Sequence, residues 1–270
     1  MKELRCFCEG KFQDDRNEDA VWVGKHFAVV CDGSTAAGPV NGVAGGIVAS
    51  RAVVRAVQGL ADDARMADFV AAANRCILED AGGASALTPL PFTAAAVYSR
   101  HRRQIWRVGD IALAIDGKVN ILPLFPHEIA MYAERIAALD AASMLTQQAR
   151  DIVSKNITDK FVPHVAKWVN NPGHPYNHGM LNGSPVPEEF GECYPVADTA
   201  KRLILASDGA LVSPRGQQMP FSIEEMLKNH YAALAEDPEC VRAFPYWRRK
   251  QDGAVALDDR TWLELDVTLG

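Results

Sequence analysis

Apolar residues along this chain come in short runs that stop at acids. Phe27 to Cys31 (FAVVC) ends at Asp32-Gly33, and Leu203 to Ser207 (LILAS) ends at Asp208-Gly209. Runs of this length bounded by turn residues predict buried strands. Residues 2–8 and 20–32 read as strands separated by the polar loop Glu9 to Asp19. From Asn41 to Leu60 the period lengthens to that of a helix, with Val43, Ile47, Val54 and Val57 near one face. A second helix over roughly 64–80 carries Phe69, Val70, Ala73 and Ile77 and is closed by Gly82-Gly83.

A β-meander is predicted next, from Phe92–Tyr98, Gln104–Val108, Ile111–Ile115 and Val119–Leu122, with Asp116-Gly117 as the hairpin turn between the last two. Helix returns over about 127–160, with Ile129, Tyr132, Ile136 and Leu139 on one side, and a shorter piece reaches Trp168. Asn170 to Glu192 reads as a polar loop. A strand at 202–207, a helix with Ile223, Met226, Leu227, Tyr231 and Leu234, and a strand at 261–267 complete the pattern. Strands and helices in groups predict an α+β class rather than βαβ alternation. No repeat, low-complexity tract or linker divides residues 1–270, so one domain is expected.

Composition removes several function classes. The 270 residues are 48% hydrophobic and 23% charged, with a formal net charge of −6. A mildly acidic chain is poorly suited to neutralising nucleic-acid phosphates. Arg100-His101-Arg102-Arg103 reads as a hairpin tip and Arg248-Arg249-Lys250 as a solvated helix end. The six cysteines show no CxxC spacing, no apolar leader follows Met1, and no run reaches membrane-spanning length. The expectation is a soluble, cytoplasmic protein with reduced cysteines that binds neither nucleic acid nor membrane.

The acids then carry the argument. An Asp-Gly pair is by default a turn, and Asp116-Gly117 needs no other explanation. Asp32 and Asp208 differ, because each ends an apolar run and neither is followed directly by a second strand. Together with Glu18-Asp19 and Asp258-Asp259 they supply the oxygen donors that magnesium or manganese prefer. Two such ions sharing a water would lower its pKa and hold a phosphoryl group for in-line attack. Glycine after each Asp lets the backbone approach closely. His174 and His178 lack a Cys pair to complete a zinc set and read as loop histidines; Trp168, Tyr176 and Trp247 read as packing residues.

Five segments in this order resemble the metal-dependent protein phosphatases of type 2C, the PPM family, in a divergent, bacterial-type form. They are Asn17-Glu18-Asp19-Ala20, Val29-Val30-Cys31-Asp32-Gly33, Phe92-Thr93-Ala94-Ala95 with Val108-Gly109-Asp110, Leu203 to Gly209, and Asp258-Asp259-Arg260-Thr261. The resemblance covers most of the chain except about 123–192. It implies a four-layer αββα sandwich, two antiparallel sheets flanked by helix pairs, with two Mn²⁺ or Mg²⁺ ions at one end. By that likeness Asp32 bridges both ions and Gly33 adds its carbonyl. Asp208 and Asp258 bind the second ion, and Asp110 holds a third. Glu18 and Asp19 orient metal-bound waters. Arg16 is the candidate phosphate contact, although it stands three residues before Asp19 where the family's Arg stands about five before. The implied activity is direct hydrolysis of phosphoserine or phosphothreonine in a protein substrate, in signalling alongside a partner Ser/Thr kinase. Ser34 stands where many eukaryotic members have His, and Ile111-Ala112 where Ser-Arg is common. The unusual segment 123–192 is the expected place of substrate or partner selection. The alternative is a degenerate relative that binds phosphoprotein or a partner without turnover. A covalent aspartyl mechanism is set aside, because Ser34 and Ala210 occupy the positions where a second acid is required.

Overall fold

The computed structural model describes residues 1–12, 15–83, 90–120, 125–141, 147–210 and 258–268. Among these the strands in chain order are β1 (Lys2–Glu9), β2 (Ala20–Val23), β3 (Phe27–Gly33), β4 (Thr93–Ser99), β5 (Gln104–Val108), β6 (Ala112–Ile115), β7 (Lys118–Asn120), β8 (Gly191–Pro195), β9 (Arg202–Ala206) and β10 (Arg260–Asp266). The helices are α1 (Gly45–Gln58), α2 (Met66–Asp80), α3 (Pro126–Ala141), α4 (Gln147–Phe161) and α5 (Val165–Trp168).

Strand β3 shows why the chain layers as it does. Its residues alternate between faces, and both faces are buried. Phe27, Val29 and Cys31 join a core with α1 and α2, while Ala28 and Val30 join a second core shared with Leu203, Leu205, Leu263 and Leu265. A strand apolar on both sides needs a layer on each. One sheet has the order β2-β3-β4-β5-β8 and the other β1-β10-β9-β6-β7, with antiparallel pairing throughout. The protein is thus α+β, with two antiparallel sheets face to face and α1 and α2 on the outer side of the first. Small residues on the buried face of α1, Gly45, Gly46, Ala49, Ser50, Ala52 and Ala56, let it lie close to that sheet. The outer face of the second sheet is also apolar and buried, through Ala112, Ala114, Ile204, Ala206 and Trp262. No helix among the described residues is long and apolar enough to cross a membrane.

Several sequence expectations change. The first helix begins at Gly45, not Asn41, because Asn41 (φ 49°) and Gly42 (φ 83°) form a left-handed turn closed by paired Val40 and Val43. The segment 20–32 is two strands, with Gly24 donating to the Phe27 carbonyl at the bend. The expected four-stranded meander is two hairpins in different sheets: β5 passes through Gly109-Asp110 to β6, which pairs with β9 instead. Buried Arg107 fixes that crossing by donating to the Ile111 carbonyl at 3.1 Å. The helix over 127–160 is two helices, α3 and α4, packed chiefly on each other. The loop expected to reach Glu192 contains the start of β8, an edge strand paired with β5. The rest of it is ordered by Asn170, whose amide nitrogen donates to the Met180 carbonyl and whose amide oxygen accepts from the Met180 amide. The arginines at the β4–β5 tip hold neighbouring loops, Arg102 through the Asp63 and Ala64 carbonyls and Arg103 through Val267. The helix over 223–234, the cluster at 248–250, Cys240 and Trp247 lie outside the described residues.

Candidate metal centre

The two acid-terminated strands end side by side. Asp32 sits near the end of β3, and Asp208 follows β9 at the start of a single 3₁₀ turn, Asp208–Ala210. The Asp208 amide faces Asp32 Oδ2 at 3.4 Å, although 176 positions separate them. Strand β10 brings in the third acid. Its register sets Trp262 opposite Ala206, so Asp258 and Asp259 arrive at the same rim. Ser207 locks that register, donating its amide to the Thr261 carbonyl at 3.0 Å and accepting the Thr261 amide on Oγ at 2.8 Å. Two glycines permit the approach. A Cβ on Gly209 would lie 1.8 Å from the Asp259 carbonyl oxygen, and one on Gly33 would lie 2.3 Å from that of Glu18.

Asp32, Gly33, Asp110, Asp208 and Asp258 line one cavity of about 190 Å³. Its other wall comes from the 125–180 segment, through Phe125, His127, Met131, Phe161, Val165 and His178. Glu18 and Asp19 stand behind it, both buried. Glu18 Oε2 accepts from Thr35 Oγ1 at 2.7 Å, and Asp19 Oδ2 accepts from Ser207 Oγ at 2.7 Å. Arg16 is exposed, stacks its guanidinium 3.8 Å from the Phe12 ring centroid, and is not part of the cavity wall.

Sequence alone marks neither Lys11 nor the pairing of His127 with His178, and it does not give Asp259 its structural role. Lys11 is buried, with its ammonium 3.4 Å from Glu18 Oε2, 3.4 Å from Asp258 Oδ1 and 3.6 Å from Asp259 Oδ2. Asp259 is a clamp rather than a cavity residue: it accepts the Lys11 amide at 2.6 Å and the Glu18 amide at 2.9 Å. His127 and His178 are buried, their rings 4.6 Å apart and both against Phe125. Nothing in a lysine after glycine, or in histidines 51 positions apart, marks them in sequence, though the Asp258-Asp259 doublet was visible.

The electrostatics follow from burial. Asp32 is pushed well above the usual aspartate range, first by desolvation and then by Asp19, Asp208, Asp110 and Asp258. Asp110 is raised by burial, then by Glu128 and Asp208, and Asp19 by burial, with Asp259 adding to it against the Ser207 hydrogen bond. Burial likewise raises Glu18, opposed by Thr35 and Lys11. Burial alone would lower Lys11, but Asp258, Asp259 and Glu18 outweigh it and hold its ammonium charged.

Does this set fit a divalent cation? The donors are hard oxygens, which suit magnesium or manganese. On the Asp32, Asp110 and Asp208 side the strongest charges acting on Asp32 are other carboxylates, which a cation would relieve. On the Glu18, Asp258 and Asp259 side Lys11 already supplies a cation. Among the described residues no group of three or more His, Cys, Asp or Glu stands close enough to form a ready ligand set. The fold therefore offers donors for an ion on one side of the cluster and a resident ammonium on the other.

A bacterial serine phosphatase matches over 100% of this chain and 99% of its own, at 13% identity and a TM-score of 0.51. The PPM Ser-Thr phosphatase MsPP from Mycobacterium smegmatis, solved in complex with cacodylate, matches over 100% of both chains at 16% identity and a TM-score of 0.50. This chain has the PPM phosphatase fold. The catalytic domain of the serine threonine protein phosphatase PstP, in complex with 2 manganese ions, is also similar, at 18% identity, a TM-score of 0.49 and coverage of 97% and 96%. No protein-family model matches the sequence, and no curated protein is similar to it. On this PPM fold the α3–α4 pair contributes to the cavity wall through Met131 and Phe161.

Proposed function

We propose that the protein is a metal-dependent phosphatase of phosphoserine and phosphothreonine in proteins. The observation that carries this reading is the cavity itself: on a PPM phosphatase fold, Asp32, Asp110, Asp208 and Asp258, from four distant parts of the chain, line its wall. Asp32, Asp208 and the Gly33 carbonyl would hold the cation, with Asp110 beside them. When bound, a divalent ion supplies Lewis acidity and an acidified water.

The chain's own residues set the conditions for that chemistry. Asp19 is held by Ser207, and Glu18 by Thr35 and Lys11, so the carboxylates behind the cavity keep fixed orientations. Phe125, Met131, Phe161 and Val165 limit water on the opposite side, where His127, Glu128 and His178 also line the cavity, and this strengthens charge interactions within the site. Arg16 would be the phosphate contact in this reading, although its guanidinium lies 3.8 Å from the Phe12 ring centroid and outside the cavity wall.

The second reading is a phosphatase fold that binds a phosphoprotein without turnover. Lys11 among the acids and the lack of a ready ligand set among the described residues favour it. Purified chain assayed on p-nitrophenyl phosphate and a phosphothreonine peptide, with manganese and with chelator, decides between them. The phosphatase reading expects manganese-dependent turnover that falls at least about a hundredfold in Asp208→Asn. Equal rates in the chelated wild type, the manganese-loaded wild type and the variant would leave the binding role.

A further inference from the structure

Lys11 is clamped at both ends. Its amide donates to Asp259 Oδ1 at 2.6 Å, and Asp259 Oδ2 holds the Glu18 amide at 2.9 Å. Its side chain is 6% exposed and ends 3.2 Å from Thr35 Oγ1, 3.4 Å from Glu18 Oε2 and 3.4 Å from Asp258 Oδ1. Lysine is rarely buried unless paired, and here three carboxylates surround one ammonium. Thr35 and Asp258 line the cavity and Lys11 does not, so its charge sits behind them. It is a positioning residue, not a contact for substrate.

We propose that the Lys11 ammonium takes the place of one divalent ion, so that this chain holds a single metal, on the Asp32 and Asp208 side. The inference rests on the metal-dependent reading above. A divalent ion ligated by Asp258 at the usual distance of about 2.0–2.6 Å would share with the ammonium a carboxylate whose Oδ1 lies 3.4 Å from Lys11 Nζ, and like charges repel. A metal that took the carboxylates around Lys11 would leave its ammonium buried without a counter-charge. The ion nearest Asp32 is set apart from that ammonium, whose ion pairs are with Glu18, Asp258 and Asp259.

Manganese bound per full-length chain, measured by equilibrium dialysis with elemental analysis, tests this directly, and the Mn²⁺ electron paramagnetic resonance spectrum gives an independent reading. The wild type is expected to bind one ion with an isolated-ion spectrum, and Lys11→Arg to do the same. Lys11→Gln is expected to bind two, with an exchange-coupled spectrum and a larger rise in melting temperature on adding manganese. Two coupled ions in the wild type would overturn the inference and leave the phosphatase reading intact. One ion in a folded Lys11→Gln would also overturn it. No bound manganese in the wild type would remove the metal reading itself. Should Lys11→Gln not fold, the wild-type and Lys11→Arg counts decide.

Discussion

Lys11 and Asp259 lie 248 positions apart and meet twice, through the Lys11 amide on Oδ1 at 2.6 Å and the ammonium 3.6 Å from Oδ2. This closes the two ends of the chain onto one another where β1 and β10 pair. Asp259 also receives the Glu18 amide at 2.9 Å, so removing its carboxylate strands two buried N–H groups. Each stranded group costs about 1–3 kcal/mol. Asp259→Ala is therefore expected to lose roughly 2–6 kcal/mol in urea denaturation, and Asp259→Asn, which keeps one acceptor, to lose less. Equal, small losses in both would show that the clamp contributes nothing.

Gly209 tests the convergence of the acids from the other side. An alanine there would bring its Cβ to 1.8 Å from the Asp259 carbonyl, which must move and take Asp258 with it. Gly209→Ala is expected to destabilise by more than about 3 kcal/mol and to abolish manganese-induced stabilisation. Gly59, whose added Cβ would come 3.6 Å from the Ala56 carbonyl oxygen, an ordinary contact, is the control. Its alanine variant should change stability by no more than about 1 kcal/mol. Thermal melts with and without manganese compare the two.

How much of this was legible beforehand depends on where the signal resides. Asp32 and Asp208 could be found because each interrupts a buried apolar run, a contrast that local sequence carries. Lys11 could not, because its role comes from Asp258 and Asp259 at the other end of the chain. The β5–β6 link reads as a hairpin, since Gly109-Asp110 is turn-like; only the pairing of β6 with β9 reveals the change of sheet. Strand β8 was hidden by its half-exposed edge position, which weakens the apolar alternation. The start of α1 was missed because the hydrophobic period ran through Val43, while Asn41-Gly42 imposed a turn. His178 read as a loop histidine, and it is in a loop, yet its ring is buried against Phe125 and His127.

That imidazole pair makes the protein acid-sensitive in a predictable window. His127 is pushed down to about 3 from the usual 6.5, first by burial and then by His178. Its folded pKa lies below its unfolded one, so between these values the unfolded chain binds more protons. The stabilisation is then complete above pH 6.5 and is lost as pH falls toward 3. From pH 8 to pH 5 the loss from His127 alone is on the order of 2 kcal/mol. His127→Phe keeps a ring against Phe125 and Trp168 and should flatten that part of the pH dependence. Melting curves at both pH values compare the variant with wild type; an unchanged slope would remove His127 as its cause.

Arg107 connects the sheet exchange to the acid cluster. It is 1% exposed and donates to the Ile111 carbonyl at 3.1 Å, to Glu192 Oε2 at 2.6 Å and to the Tyr194 hydroxyl at 2.5 Å. One guanidinium thereby holds β8 against β5 and fixes the chain on the far side of Gly109-Asp110. Removing it leaves Glu192 able to turn to solvent, since that side chain is 40% exposed, so the full cost of breaking a buried pair does not apply. The Ile111 carbonyl has no such escape. Arg107→Met is expected to lose about 2–4 kcal/mol, and Glu192→Gln less than about 1 kcal/mol. The same variant should weaken manganese-induced stabilisation, because Asp110 sits on the loosened crossing. If Glu192→Gln matched Arg107→Met in urea denaturation, the ion pair rather than the Ile111 anchor would account for the effect.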